Sequence, residues 1–579
     1  MKKKLGALLL ATVCAFSTAA TACGGGGGGA GGDGDGPYNV QSSSKTRIVV
    51  ANGDGGVGTV WLEEAAERFA KLKKDESYEG GKTGIFIDIE RGMGLDLANA
   101  ATGSPHIYFS ERRYDASTLA QSGQVLDITD IFTDTTREGG AFETVVNPQM
   151  LDFCKGFDGN YYAMPHYEFF GGISYDADVF NATNAWFAAE DETAVTAYNS
   201  VYGSAKFVAN ATAKKSKGPD GKANTEDDGM PCSLDELIIL FSYFRDRTEY
   251  YPITMSGKYT DYSNYLLVSL WAALAGVEQM TNYYNCTGEI EIVTGFTNEN
   301  LFSGIDYIKK PTVETVNMAA DGSEGYKGSL MSAKYYAMAI LEIINKEFFA
   351  PEAHTDTITH WDAQRALIYN PVSTKFNKTA MLIEASYWYN EAELAGSFEL
   401  YKTMSADTQE RNIRMMRLPS CCKTADLEET TNTLLDIGQG IGIISSNVKD
   451  DAGLSRACKE FMAFLYTTEE LKAFTACTGI SRPLNYEMSS EQMANVSSFN
   501  KDVWNYSHQT GKVVYYSGTT EAYKRAKRYL CLNLTLPNEP VYNNKTHNHF
   551  ITPFRLGTNA QKMFLDNQYT ATTWAIIMG

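Results

Sequence analysis

The sequence predicts an α/β protein of two or more lobes, opening on a parallel, doubly wound sheet. Three observations predict this. Early in the chain, apolar runs follow one another at strand, helix, strand, helix and strand spacing. The chain has 579 residues, and a single core stops growing at roughly 250–300 residues. It is 44% hydrophobic and 21% charged, an ordinary globular mix that excludes wholesale disorder.

The first residues stand apart from the fold. Lys2, Lys3 and Lys4 form a basic start to the apolar, small-residue stretch 5–22. This reads as an export signal whose apolar part is too short for a membrane span. Ala20-Thr21-Ala22-Cys23 resembles a bacterial lipobox, with Ala20 where Leu is usual. In that motif a peptidase cuts before the cysteine, and the thiol carries a diacylglycerol. Plain cleavage with a soluble product is the alternative. Gly24 to Gly29 are all glycine, and the run to Ser44 is rich in Gly, Ser and Asp. Residues 23–45 therefore read as a flexible tether, spanning on the order of 25 Å.

Lys and Arg number 50 against 70 Asp and Glu, a net charge of −20, which becomes −23 once residues 1–22 and their three lysines are removed. Such a surface repels phosphate, which argues against nucleic acid and against direct contact with anionic lipid. Cys154, Cys232, Cys286, Cys421, Cys422, Cys458, Cys477 and Cys531 contain no CxxC pair, so no zinc ribbon is indicated. Disulfides and buried free thiols both stay open.

The folded part begins with a strand at 46–51 (TRIVVA). A helix at 59–72 follows, with Trp61, Leu62, Ala65, Phe69 and Leu72 on one face and glutamates near its start. Ile85, Ile87 and Ile89 alternate in a second strand, 84–90. A short helix over 95–101 ends at Gly103, and Pro105 introduces a third strand, 106–110 (HIYFS). Ligands of such sheets bind at the carboxyl ends of the strands, which makes Asn52–Gly58 and Ser110–Arg113 candidate site loops. Residues 161–175 form an extended aromatic stretch. Ser233 and Glu236 form a capping box for a helix carrying Leu234, Leu237, Ile238, Phe241 and Phe244. Residues 262–276 read as a helix, 379–385 (TAMLIEA) as a buried strand, and 433–444 as strand segments about a Gly-rich turn. Residues 454–466 and 468–476 read as helices, the second capped by Thr467 with Glu470.

These pieces, in this order, resemble the bacterial extracellular solute-binding proteins of the sugar-binding class (family 1), which include maltose-binding protein. The carriers are the lipobox and tether, the Gly loop running into Trp61-Leu62-Glu63-Glu64-Ala65, and His106-Ile107-Tyr108-Phe109-Ser110-Glu111. Others are Leu126-Asp127-Ile128-Thr129-Asp130, Asp158-Gly159-Asn160-Tyr161-Tyr162-Ala163-Met164-Pro165, Ala380-Met381-Leu382-Ile383-Glu384 and Gly479-Ile480-Ser481-Arg482-Pro483-Leu484. The resemblance covers most of residues 46–485. It implies a two-lobed periplasmic-binding-protein-like fold of type II, with an N-terminal lobe of 46–165 plus 413–480 and a C-terminal lobe of 166–412 plus 481–579. It implies chain crossings near 161–175, 412 and 482, hinge closure on a solute, and delivery to the permease of an ABC importer. The expected protein is a monomer that needs no cofactor and touches the membrane through its lipid alone.

A sugar offers an apolar C–H face and a rim of hydroxyls, so its site needs aromatic plates and convergent carboxylates or amides. Trp388, after a strand end, and Trp271 are the candidate plates. Tyr167 and Glu168 lie where the chain should cross between lobes. Glu111 follows the third strand, Asp54 lies in the first loop, and Glu384 and Gln439 sit at later strand ends and turns. Asp220, Asn224, Glu226, Asp227 and Asp228 gather in the loop 217–230, where oxygen ligands on a turning backbone would suit a structural calcium; a solvated acidic loop is the alternative.

Other chemistries fit less well. Gly53-Asp54-Gly55-Gly56-Val57-Gly58 satisfies GxGxxG, but Asp54 would oppose a pyrophosphate and Glu90 lies beyond the roughly twenty residues expected for the ribose acid. HExxH and GxSxG are absent, and His354, Asp356 and His360 read as a polar loop. Two rivals to the sugar receptor remain. One is a surface glycoside hydrolase recruiting two of Glu111, Glu168 and Glu384. The other is a receptor for a peptide or osmolyte.

Overall fold

Thr46–Gly53 is extended because Ile48, Val49 and Val50 are β-branched and covered on both faces, as an inner parallel strand requires. The computed structural model describes residues 43–53, 55–92, 95–111, 115–137, 140–260, 262–370, 372–405, 411–438, 440–531, 541–542, 545–546 and 551–579. Cys23 and its tether, Asp54 and Gln439 lie outside the described residues. In chain order the strands are β1 (Thr46–Gly53), β2 (Ile85–Gly92), β3 (Ile107–Ser110), β4 (Met164–Pro165), β5 (Gly171–Asp176), β6 (Val195–Ser200), β7 (Gly203–Val208), β8 (Tyr251–Thr254), β9 (Gly288–Phe302), β10 (Ile305–Met318), β11 (Thr379–Ala385), β12 (Ile413–Met415), β13 (Thr433–Asp436), β14 (Ile441–Ile444) and β15 (Lys512–Tyr515).

The first half is built on a five-stranded sheet of order β2-β1-β3-β14-β4. The first three strands are parallel, with Val50 opposite both Ile89 and Ile107. β14 and β4 add to the edge in antiparallel fashion, which places Ile443 opposite Tyr108. Helix α1 (Val60–Leu72) lays Trp61, Leu62, Ala65 and Phe69 on the core. The expected helix at 95–101 is a 3-10 turn over Leu97–Thr102, started by Asp96, whose side chain accepts from Ala98 N.

The second half is built on a mixed sheet, β12-β5-β11-β8. All seven residues of β11 are buried, and it runs antiparallel to β5 and parallel to β8. Helix α2 (Leu234–Arg247) starts at Ser233, whose hydroxyl accepts from Glu236 N while Glu236 Oε2 accepts from Cys232 N. Helix α3 runs from Tyr262 to Asn285, further than expected. It passes a kink at Gly276, whose φ of 75° suits a residue without Cβ. Against it packs α4 (Ser332–Ile343), buried on every side. The hairpins β6–β7 and β9–β10 belong to no larger sheet.

β12 pairs with β5, inside the second sheet. The return to the first half therefore falls at 433–440, not at 412, and residues 413–432 belong to the second half. Helices α6 (Ala452–Phe464) and α7 (Thr468–Thr478) then complete the first half. Thr467 does not cap α7 with its side chain; its hydroxyl donates to Phe464 O at 2.9 Å. Glu470 instead takes a two-pronged bond from Arg68 at 2.7 and 2.8 Å.

The residues beyond 486 do identifiable work. β15 pairs in parallel with β13, and Ala560 N donates to the buried Glu342. Trp574 is fully buried and donates to Gly322 O. Cys154, Cys232, Cys286, Cys421, Cys422, Cys458 and Cys477 carry free thiols. Among the described residues no helix is long and apolar enough to cross a membrane.

Candidate functional site

Three chain segments pass between the halves, and they are bonded to one another. His166 N donates to Gly440 O at 2.9 Å, Ile437 N to Phe169 O at 3.0 Å, and Glu168 N to Ser481 O at 2.8 Å. Two buried carboxyls tie this bundle together. Glu168 accepts from Ser481 Oγ at 2.6 Å and from Tyr515 Oη at 2.7 Å. Asp436 Oδ1 accepts from Phe169 N at 3.0 Å and Gly438 N at 2.7 Å. Burial pushes the Glu168 carboxyl up to about 7, against its hydroxyl donors. It drives Asp436 well above the carboxylate range, with Glu168's negative charge as the next cause.

Beside these crossings the facing surfaces of the two halves meet in a seam, the interlobe cleft of this fold. On the first half, Glu111 follows β3, and a Cβ on Gly55 would strike its Oε2. The glycine loop thus lets the backbone lie directly on this carboxylate. On the second half, Tyr387 follows β11, and its ring would stand 3.2 Å from a Cβ on Gly56. Asn390, on helix α5 (Trp388–Leu394), donates to Gly56 O at 2.5 Å, so the two halves touch here. Tyr262 and Tyr265, in the first turn of α3, complete the wall. The Phe169 ring lies 5.2 Å from Tyr387 and 5.8 Å from Tyr265. Tyr262, Tyr265 and Tyr387 are all half-buried. Burial raises the Tyr262 phenol, and the nearby Glu384 charge raises it further. Burial likewise raises Tyr167, followed by the Glu111 charge. Two carboxylates, an amide and several phenols therefore lie at one seam between the halves, with Glu384 and Asn390 buried in it.

The residues expected from the sequence divide between cleft and core. Glu111 and Tyr167 stand beside the cleft, and Glu384 lies under the tyrosines. Glu168 is buried within the bonded crossings, held by Ser481 and Tyr515. Trp388 is not a plate: it is fully buried, its indole N–H donates to Ser174 Oγ at 2.8 Å, and it packs on Tyr389 and Phe499. Trp271 is also core, 1% exposed, against Tyr283 and under the Lys334 ammonium. The sequence reading missed Tyr262, Tyr265 and Asn390 and passed over Tyr387. The signal was present: Trp388, Tyr389 and Ala392 form an apolar stripe at helical spacing, which turns Trp388 inward and leaves Tyr387 outside.

Asp220, Asp227 and Asp228, expected as calcium ligands in the loop 217–230, have hydrogen-bond partners within the protein. Asp227 pairs with the buried Arg417 at 3.1 Å and accepts from Asp220 N and Thr225 Oγ1. Asp220 accepts from Lys222 N, and Asp228 from Asn224 N. Asp220, Asp227 and Asp228 gather around the Thr225 hydroxyl at 3.3, 2.9 and 3.4 Å, and the Arg417 guanidinium supplies the positive charge beside Asp227. Among the described residues no group of three or more His, Cys, Asp or Glu could hold a metal ion. Burial pushes Asp227 up to about 6 against the pull of Arg417. Chelation is expected to leave the melting temperature unmoved, whereas Asp227→Ala costs about 3–5 kcal/mol by stranding a buried guanidinium. A melting curve that drops with EDTA would restore calcium to this loop.

No protein-family model matches the sequence, and no curated protein matches it. Solved structures do match. A binding protein of an ABC transporter from Bifidobacterium animalis subsp. lactis, in complex with mannobiose, is 11% identical. The match covers 92% of this chain and 95% of that one at a TM-score of 0.50. A structure from work on xylan utilisation by Caldanaerobius polysaccharolyticus is 12% identical over 90% of this chain and 98% of that one, at 0.49. A chitin oligosaccharide binding protein is 14% identical over 90% and 99%, at 0.48. The first of these, taken with the two sheets and their bonded crossings, shows that the chain has the two-lobed α/β fold of the solute-binding proteins.

Proposed function

We propose that this chain is an extracytoplasmic, non-catalytic receptor that captures a carbohydrate between its halves and delivers it to the permease of an ABC importer. The observation that carries this reading is the cleft, where half-buried phenol rings stand beside Glu111, Glu384 and Asn390. Rings bind the C–H faces of a pyranose, and the polar groups accept from or donate to its hydroxyls. The mannobiose-bound protein of the same fold supports the ligand class. Lipidation at Cys23 would hold the receptor at the membrane as a monomer on its tether. A peptide or osmolyte as solute, and a glycoside hydrolase, remain the rivals.

Calorimetry against a panel of oligosaccharides, peptides and osmolytes tests the reading, with the recovered ligand checked for cleavage. Binding of a glycan returned intact is expected. Turnover would favour the hydrolase, for which Glu168, closed into the crossings, is poorly placed. A second expectation concerns the plate. Tyr387→Ala weakens glycan affinity by about 1.5 kcal/mol or more, roughly tenfold. An unchanged Kd would remove Tyr387 from the site.

A further inference from the structure

The aromatic wall of the cleft does not stop at Tyr262. The Tyr262 ring stacks on His360 at 6.0 Å and 22°. His360 in turn lies 5.5 Å from Tyr259 and 5.8 Å from Trp361. Exposure rises along this path: Phe169 is 7% exposed, Tyr262 is half-buried, and Tyr259 and Trp361 reach 38% and 39%. Solitary exposed aromatics are common and need no explanation. These two flank one histidine and connect ring by ring to the cleft.

The platform is held in place by its own backbone. The Thr359 hydroxyl accepts from Asp362 N, and the Asp362 side chain accepts from Thr359 N, a capping box that fixes the turn carrying His360 and Trp361. Lys258 N donates to Ile358 O at 2.9 Å, and Ser256 Oγ to the same carbonyl at 3.0 Å. The segments bearing Tyr259 and Trp361 are thereby clasped together. Polar groups suited to hydroxyls accompany the rings. His360 Nε2 faces the Glu391 carboxylate at 3.7 Å. The Lys258 ammonium lies over Tyr259, and the Arg365 guanidinium over Trp361. Rings interleaved with hydroxyl-binding groups fit a glycan better than an apolar peptide face.

We infer that Tyr259, His360 and Trp361 form an outer subsite that receives the protruding sugar units of an oligosaccharide whose inner units occupy the cleft. This rests on the carbohydrate reading above and adds to it that the ligand is a chain with one end emerging at the second half. The rigid backbone beneath the rings means that little ordering is needed on binding.

The test is calorimetry of manno- and xylo-oligosaccharide series from two to six units. For the wild type, affinity is expected to rise with length beyond the disaccharide. Trp361→Ala is expected to weaken the longer members about five- to tenfold while leaving the disaccharide within about twofold; Trp361→Phe should restore most of the loss. Tyr259→Ala, at the other ring packed on His360, should act in the same length-dependent way. Each variant's melting curve is recorded to confirm folding. Equal affinity at every length, or equal weakening of disaccharide and hexasaccharide by Trp361→Ala, overturns the outer subsite while leaving the receptor intact. No binding by either series at any length, or by the wider panel, overturns the carbohydrate reading and this inference with it.

Discussion

Trp388→Ala lowers the stability of the folded chain by about 3–5 kcal/mol, the cost of emptying a large aromatic from a packed core. The indole packs on Tyr389 and Phe499 within a buried cluster that also holds Phe170, Leu382, Ala392, Phe398 and Ile413. Truncation leaves a cavity and also strands Ser174 Oγ, which accepts the indole N–H in a buried setting. Urea unfolding should therefore show a lower midpoint with an unchanged slope. Glycan affinity measured well below that midpoint should change less than in Tyr387→Ala. The opposite pattern, an unmoved midpoint with lost affinity, would make Trp388 a ligand plate after all.

The second large effect lies in the bonded crossings and depends on pH. The Glu168 carboxyl is raised from 4.5 to about 7 by burial. Below about pH 4.5 it is protonated in both folded and unfolded chains. Between there and about pH 7 the folded chain holds the proton and the unfolded chain has released it, so stability falls as pH rises, then levels off. The loss attributable to this group is on the order of 3 kcal/mol. Glu168→Gln keeps an acceptor for Ser481 and Tyr515 but carries no titrating proton, and it relieves the charge that raises Asp436. The variant should show a flatter stability profile between pH 4.5 and 7, checked by urea midpoints across that range. An equally steep profile in the variant would show that Glu168 does not titrate there.

The pieces that were legible are those whose pattern is local. TRIVVA and TAMLIEA read as buried strands because uninterrupted apolar runs have no solvent face to lose. The stripe of α1 read as a helix because Trp61, Leu62, Ala65 and Phe69 recur at its period. Ser233 and Glu236 announced a helix start through a bond spanning three residues. What failed was partnership at a distance. Nothing in 217–230 signals that Asp227 faces Arg417, so its acids read as cation ligands. Thr467 and Glu470 had the spacing of a cap, yet Arg68, some four hundred residues away, draws the glutamate elsewhere. The strand at 413–415 is too short to declare its sheet, and only pairing with β5 assigns it to the second half.

By itself the sequence determined the alternation of strand and helix, the glycine loop before α1 and the residue types available to the cleft. All of these follow from periodicity and backbone freedom within a few residues. Tertiary structure decided which aromatic faces the cleft and which carboxylate ties the crossings. Tyr387 and Trp388 are neighbours with nearly the same chemistry, and Glu111 and Glu168 are both acids beside crossings. Their roles part because side-chain direction and burial are set by the elements packed around them, and no spacing along the chain encodes that.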